Sequence, residues 1–256
     1  MVPEMPRPVV LLHPLGSDRT FWDGMPLPDG RRWAALDLPG HGTEAAPSVH
    51  GGVEGLAARV LDLADDAGLA QFDVAGVSLG GLVAQYLAVQ HPDRVIGVVL
   101  IDTVATYPEA MEEMWVGRAA TARSEGMSSL VGPTLDIWFT PEFRRSRPDV
   151  VEQTTRTLLS TDPEGYARTC EILASTDLTP RLADLPARTL SVCGDSDGEP
   201  FRNAAREIAA ATGSTVRWLP GMHAAVLESP AEFVAHLVAF LDDDAASTPP
   251  ERTSHE

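Results

Sequence analysis

Three polar side chains, each placed just after an apolar run, could together carry out acyl transfer in this 256-residue chain. The first is Ser78 in Gly76-Val77-Ser78-Leu79-Gly80-Gly81, a GxSxG string between a strand-like and a helix-like segment. Glycines on both sides suit a serine held in a strained strand-to-helix turn, where a flanking Cβ would clash. A serine hydroxyl is a weak nucleophile at neutral pH and must pass its proton to a base, normally a histidine steadied by a carboxylate. His223, in Pro220-Gly221-Met222-His223, and Asp197, in Gly194-Asp195-Ser196-Asp197, each follow a later apolar run and supply those types.

Asp197 is preferred to Asp195 because a few residues of loop beyond the strand give a carboxylate the reach to an imidazole. Asp102, directly after Ile101, is a third candidate for the acid, with a structural hydrogen-bonding role expected. Negative charge on a tetrahedral intermediate needs donors. The N–H of Leu79 is expected to be one, at the positive end of the helix that starts there. The loop His13-Pro14-Leu15-Gly16 is expected to provide the second through Leu15, since Pro14 has no N–H. His13-Pro14 reads equally as a plain strand end. His41 reads as a turn residue, and His50, His91, His236 and His255 as surface or terminal ones. No His and carboxylate set has metal-site spacing, so no metal is expected.

Convergence of residues so far apart requires a scaffold that brings strand ends together. Six short apolar runs are read as buried strands: 9–13, 33–37, 72–77, 95–101, 189–193 and 215–219. Segments 53–67, 79–90, 201–211 and 230–241 have helical apolar spacing. This alternation predicts an α/β chain with a mostly parallel sheet covered by helices on both faces, whose C-terminal strand edge is the expected ligand edge. Residues 105–185 contain no convincing strand and are expected to form an inserted helical cap, leaving a core of 1–104 and 186–241. Residues 242–256 hold five acids, one arginine and little apolar content, and are expected to be a disordered acidic tail.

Composition narrows the chemistry further. All 19 basic residues are arginine, which excludes lysine Schiff bases and a P-loop lysine. With 37 acidic residues the formal charge is −18, which argues against nucleic acid or an anionic membrane as partner. Cys170 and Cys193 form no CxxC, so buried reduced thiols are expected rather than a disulfide framework. No segment reads as a signal peptide or membrane span, and a cytoplasmic location is the expectation.

Together these residues resemble the α/β-hydrolase superfamily, over nearly the whole chain up to about Leu241. More specifically, HPLGSDRTFWD, DLPGHG, GVSLGGLVAQ and the cap stretches EGMSSLV, IWFTPEFRRSRPDVV and DPEGYARTCEIL are similar to the 3-oxoadipate enol-lactonase branch. The resemblance implies Ser78 as nucleophile, His223 as base, Asp197 as acid, no cofactor, and the opening of a small lactone or carboxylic ester. The chain departs from that branch in its GDSDGEP acid loop and in Ala224-Ala225-Val226 after His223. The cap is expected to roof the site with Met111, Trp115, Trp138 and Phe139. Arg118, Arg123, Arg144 or Arg145 would meet a substrate carboxylate. Rival readings on the same scaffold are a carbon–carbon bond hydrolase, a thioesterase or an acyltransferase; further off lies a non-catalytic ligand-binding protein.

Overall fold

Runs such as Val9-Val10-Leu11-Leu12 have apolar side chains at every position, so both faces of the strand they form must be covered. The computed structural model, which describes residues 6–186 and 188–243, shows how. Strands β1 (Val9–Leu12), β2 (Trp33–Leu36), β3 (Phe72–Val77), β4 (Val95–Ile101), β5 (Thr189–Gly194) and β6 (Val216–Leu219) form one sheet, entirely parallel, in the order β2-β1-β3-β4-β5-β6. Alternate residues of β1 enter different cores. Val10 and Leu12 join Leu56, Val60 and Leu82 on one face, while Val9 and Leu11 join Trp22, Phe233 and Leu237 on the other. The expectation of six buried strands fails at the two edges: β2 is half-buried throughout and β6 mostly so, because an edge strand has a neighbour on one side only.

The helices α1 (Gly52–Asp66) and α2 (Leu79–Gln90) follow β2 and β3. Between β4 and β5 the chain forms five helices: α3 (Glu109–Glu125), α4 (Ser128–Trp138), α5 (Pro141–Ser146), α6 (Pro148–Ser160) and α7 (Pro163–Ser175). Their starts follow local chemistry. Proline occupies the first turn of α5, α6 and α7, where its missing N–H costs nothing, and the Thr140 and Asp162 side chains cap α5 and α7. An antiparallel bridge between Thr106 and Asp177 ties the two ends of the insertion together. The chain then returns through β5, α8 (Glu199–Thr212), β6, α9 (Ala225–Glu228) and α10 (Pro230–Asp242). Asp242, expected in the tail, belongs to α10; residues 244–256 lie outside the described residues.

From β1 the chain moves to one side, to β2, and then crosses to the other, to β3. That reversal opens a crevice between the C-terminal ends of β1 and β3, the place where parallel sheets hold ligands. Two histidines shape its β1 side. His13 is buried, its Nε2 accepting the Leu38 N–H at 2.9 Å and its Nδ1 lying 2.8 Å from the Pro14 carbonyl. His41 repeats the pattern, its Nε2 accepting the Gly16 N–H at 3.0 Å and its Nδ1 3.2 Å from the Pro39 carbonyl. Each ring must therefore be neutral with its proton on Nδ1. The 13–17 loop is thereby stitched to the loop after β2. Burial holds the His13 ring down at about 4; burial and the neighbouring His13 hold His41 at about 3.

Unfolding releases both rings to titrate at their ordinary value near 6.5, so the unfolded chain binds more protons than the folded one below that pH. Stability from this pair is full above about pH 6.5 and is lost as pH falls towards 4 and 3. The melting temperature should drop by at least about 5 °C between pH 6.5 and 4.5. His13→Asn/His41→Asn should start lower and flatten that slope, measured by calorimetry across the range.

Candidate active site

Ser78 sits where β3 turns into α2, with φ 51° and ψ −110°, one of two non-glycine residues at positive φ among those described. Such strain persists only where the surroundings enforce it. The Ser78 N–H bonds the Ile101 carbonyl at 2.9 Å, and the Ser78 carbonyl accepts from the Thr103 hydroxyl at 2.8 Å and the Leu82 N–H at 3.0 Å. The glycines are obligatory by distance. A Cβ on Gly76 would stand 2.2 Å from the Gly80 carbonyl oxygen, and one on Gly80 would stand 2.5 Å from the Leu12 carbonyl oxygen.

His223 follows β6 and shares with Ser78 a cavity of about 510 Å³, open mouth included. Its Nδ1 lies 2.9 Å from Asp197 Oδ2, and both side chains are buried. Burial disfavours a charged ring here, but the Asp197 charge and hydrogen bond outweigh it, so His223 titrates above its ordinary range. Asp197 Oδ1 accepts the Gly198 N–H at 2.6 Å, which leaves Oδ2 turned to the ring. A hydroxyl that shares a cavity with an imidazole held by a carboxylate provides the groups that proton transfer from the first to the second requires, the third holding the ring's tautomer.

The other acids considered stand elsewhere. Asp195 Oδ1 accepts from the Ser196 hydroxyl at 2.8 Å and the Gly221 N–H at 3.4 Å, bracing the loop that leads to His223. Asp102 is buried, at φ 45°, with Oδ1 accepting the Gly194 N–H at 2.7 Å. Burial, and the Asp197 charge beside it, push its carboxyl well above the usual range. Asp102, Cys193 and Asp197 come within 4.8 Å of one another, the single such cluster among the described residues. As a metal cradle it is poor: both Asp197 oxygens are engaged, and burial holds the Cys193 thiol protonated.

Leu79 is the first residue of α2, and its N–H is one of the amides a helix start leaves unpaired. In the opposing loop, Gly16 donates to His41, Ser17 donates to the Pro14 carbonyl, and Pro14 has no donor, which leaves Leu15. Leu15 lines the cavity.

Of the insertion residues expected to face the site, Met111, Trp115, Arg118 and Trp138 line the cavity. Two do not. Phe139 points into the core, stacked on Phe143 at 5.1 Å, because α4 ends there and the chain turns outward. Arg144 pairs with Asp136 on the surface. Arg123 pairs with Glu164 and Glu171, and Arg145 is exposed. Met114, Thr134, Ile137, Tyr166 and Phe201 also line the cavity and were not anticipated. Met114 lies one helical turn from Met111, a usable signal; Tyr166 and Phe201 arrive from distant segments and left none. Phe201 packs against the His223 ring, 4.3 Å between centroids and tilted by 50°.

Arg118 gives Nε and Nη2 to the Tyr166 hydroxyl at 3.0 and 2.7 Å and Nη2 to Thr134 Oγ1 at 2.7 Å. No carboxylate among the described residues lies within ion-pairing distance of it, although the chain carries 37. Beside it, the Trp115 indole N–H is buried with no partner.

Comparison with known proteins agrees with this architecture. The solved enol-lactonase from Burkholderia xenovorans LB400 superposes with a TM-score of 0.87 at 32% identity, covering 94% of this chain and 93% of that one. A thermophilic esterase from Thermogutta terrifontis superposes with a TM-score of 0.85 at 28% identity, covering 93% and 90%. In sequence, 3-oxoadipate enol-lactonase 2 of Acinetobacter baylyi is 31% identical over 75% of this chain and 72% of its own. Residues 9–236 match the alpha/beta hydrolase family, and the chain belongs to that family.

Proposed function

We propose that this hydrolase opens a small lactone or carboxylic ester through an acyl-enzyme on Ser78. The observation that carries the reading is that Ser78 and His223 line one cavity, with Asp197 hydrogen-bonded to the His223 ring at 2.9 Å. Ser78 Oγ attacks the acyl carbon while His223 Nε2 takes its proton, and Asp197 stabilises the imidazolium that results. The Leu15 and Leu79 amides hold the oxyanion. Collapse expels the alkoxide or enolate, which receives the proton from His223. Water then attacks the acyl-enzyme, with His223 as base, and releases the acid and free Ser78. No step requires a cofactor.

Arg118 supports a substrate that carries a carboxylate, as a carboxylated enol-lactone does. A guanidinium held in place by two hydroxyls and lacking an acidic partner is preorganised for an anion. The surrounding protein is strongly negative, so without such a cation an anionic substrate would be repelled.

Against a panel of enol-lactones, saturated lactones and short aryl esters, Ser78→Ala should lower kcat at least about 10⁴-fold with the fold intact. Near-wild-type turnover in that variant would remove the nucleophile assignment. Arg118→Met should raise KM for a carboxylated lactone by about 10–100-fold while leaving an uncharged aryl ester within about 3-fold. Equal losses on both substrates would make Arg118 a packing residue.

A further inference from the structure

Three consecutive backbone amides carry the base, and all three are anchored to, or through, one short piece of the insertion. The His223 N–H points to the Ile137 carbonyl at 3.4 Å, and the Ala224 N–H bonds the Trp138 carbonyl at 3.0 Å. These carbonyls belong to the last turn of α4, where helix geometry leaves them without a partner of their own. The Met222 N–H donates to Glu228 Oε1 at 2.8 Å. The same half-buried carboxylate accepts the Thr140 N–H at 3.2 Å and the Thr140 hydroxyl at 2.5 Å. Ile137 and Trp138 are also walls of the substrate cavity. One segment, 137–140, thus forms part of the pocket and holds the loop that presents His223.

We propose that Glu228 is a positioning residue, a latch that ties the 137–140 segment to the Met222–Ala224 loop so that His223 is aligned for proton transfer only while this piece of the insertion is seated on the core. The inference rests on the acyl-enzyme reading above. A carboxylate is suited to the task because it accepts three donors at once from two elements, and hydrogen bonds to a charged acceptor are stronger than neutral ones. Its loss leaves two amides and a hydroxyl without their acceptor on either side of the seam. The consequence falls on the proton-transfer step rather than on ligand affinity, because the side chains that line the cavity remain.

The test is stopped-flow acylation with p-nitrophenyl acetate, read as the burst rate, beside KM, near-ultraviolet circular dichroism and the melting temperature. Glu228→Ala should lower the burst rate 10–100-fold with KM within 3-fold, and Glu228→Gln, which keeps an acceptor for Met222, should recover most of the rate. Thr140→Val should fall between them, and Thr140→Ser should match wild type. If Glu228→Ala does not fold, Thr140→Val is judged by the same standard. A wild-type burst rate in the variant so judged overturns the latch, as does a loss confined to KM. A failure of the underlying reading is separately visible, because wild type itself would then show no burst.

Discussion

Glycine-only contact at the crossing of β1, β3 and α2 sets where everything else around the crevice can stand. The backbone of Gly80 lies against the Leu12 carbonyl and the backbone of Gly76 against that of Gly80, at distances no side chain tolerates. This closeness brings the start of α2 beside the loop after β1, so that Leu79 and Leu15 can face one point. It also forces Ser78 into a strained conformation with its hydroxyl in the cavity. The paired histidines complete the arrangement from the other side, since His41 occupies the Gly16 amide and His13 the Leu38 amide. Under the proposed mechanism, stiff parts on both sides of the crevice would spare the donors any rearrangement as charge develops.

The electrostatics divide along the same line. Outside the cavity, arginines such as Arg59, Arg123 and Arg144 are paired with carboxylates on a strongly acidic surface. Inside it, Arg118 bonds two hydroxyls and lies against the Trp115 and Tyr166 rings, with no carboxylate partner among the described residues, and His223 is held above its ordinary range by Asp197. Two carboxyl groups near His223 play opposite parts. Asp197, hydrogen-bonded to the ring, supports its charge; Asp102, buried beside it, has its own ionisation disfavoured and braces Gly194.

Much of this was legible in the residues. Strands buried on both faces are continuous apolar runs, which is why 72–77 and 95–101 match β3 and β4 to the residue. Glycine spacing located the turn at Ser78 for a steric reason that the distances repeat. Discrimination within a loop was harder. Asp195 and Asp197 are two residues apart, and what separates them is the way the loop folds back against Gly221, a tertiary contact with no local signature. Trp138 and Phe139 are neighbours of the same class, yet one faces the cavity and the other the core, because α4 ends between them. Arg118 and Arg144 carry the same charge, and the presence of Asp136 beside Arg144 alone decides which is neutralised. Tyr166 reaches the cavity from α7, a placement set by helix packing across the insertion.

Activation of Ser78 is read directly by covalent labelling with a fluorophosphonate, which adds to an activated serine oxygen with loss of fluoride. One adduct per chain is predicted, mapped by peptide mass to Ser78, and slowed at least about 100-fold in His223→Ala. Absence of an adduct at pH 8, or one that persists undiminished in Ser78→Ala, would remove Ser78 as the nucleophile.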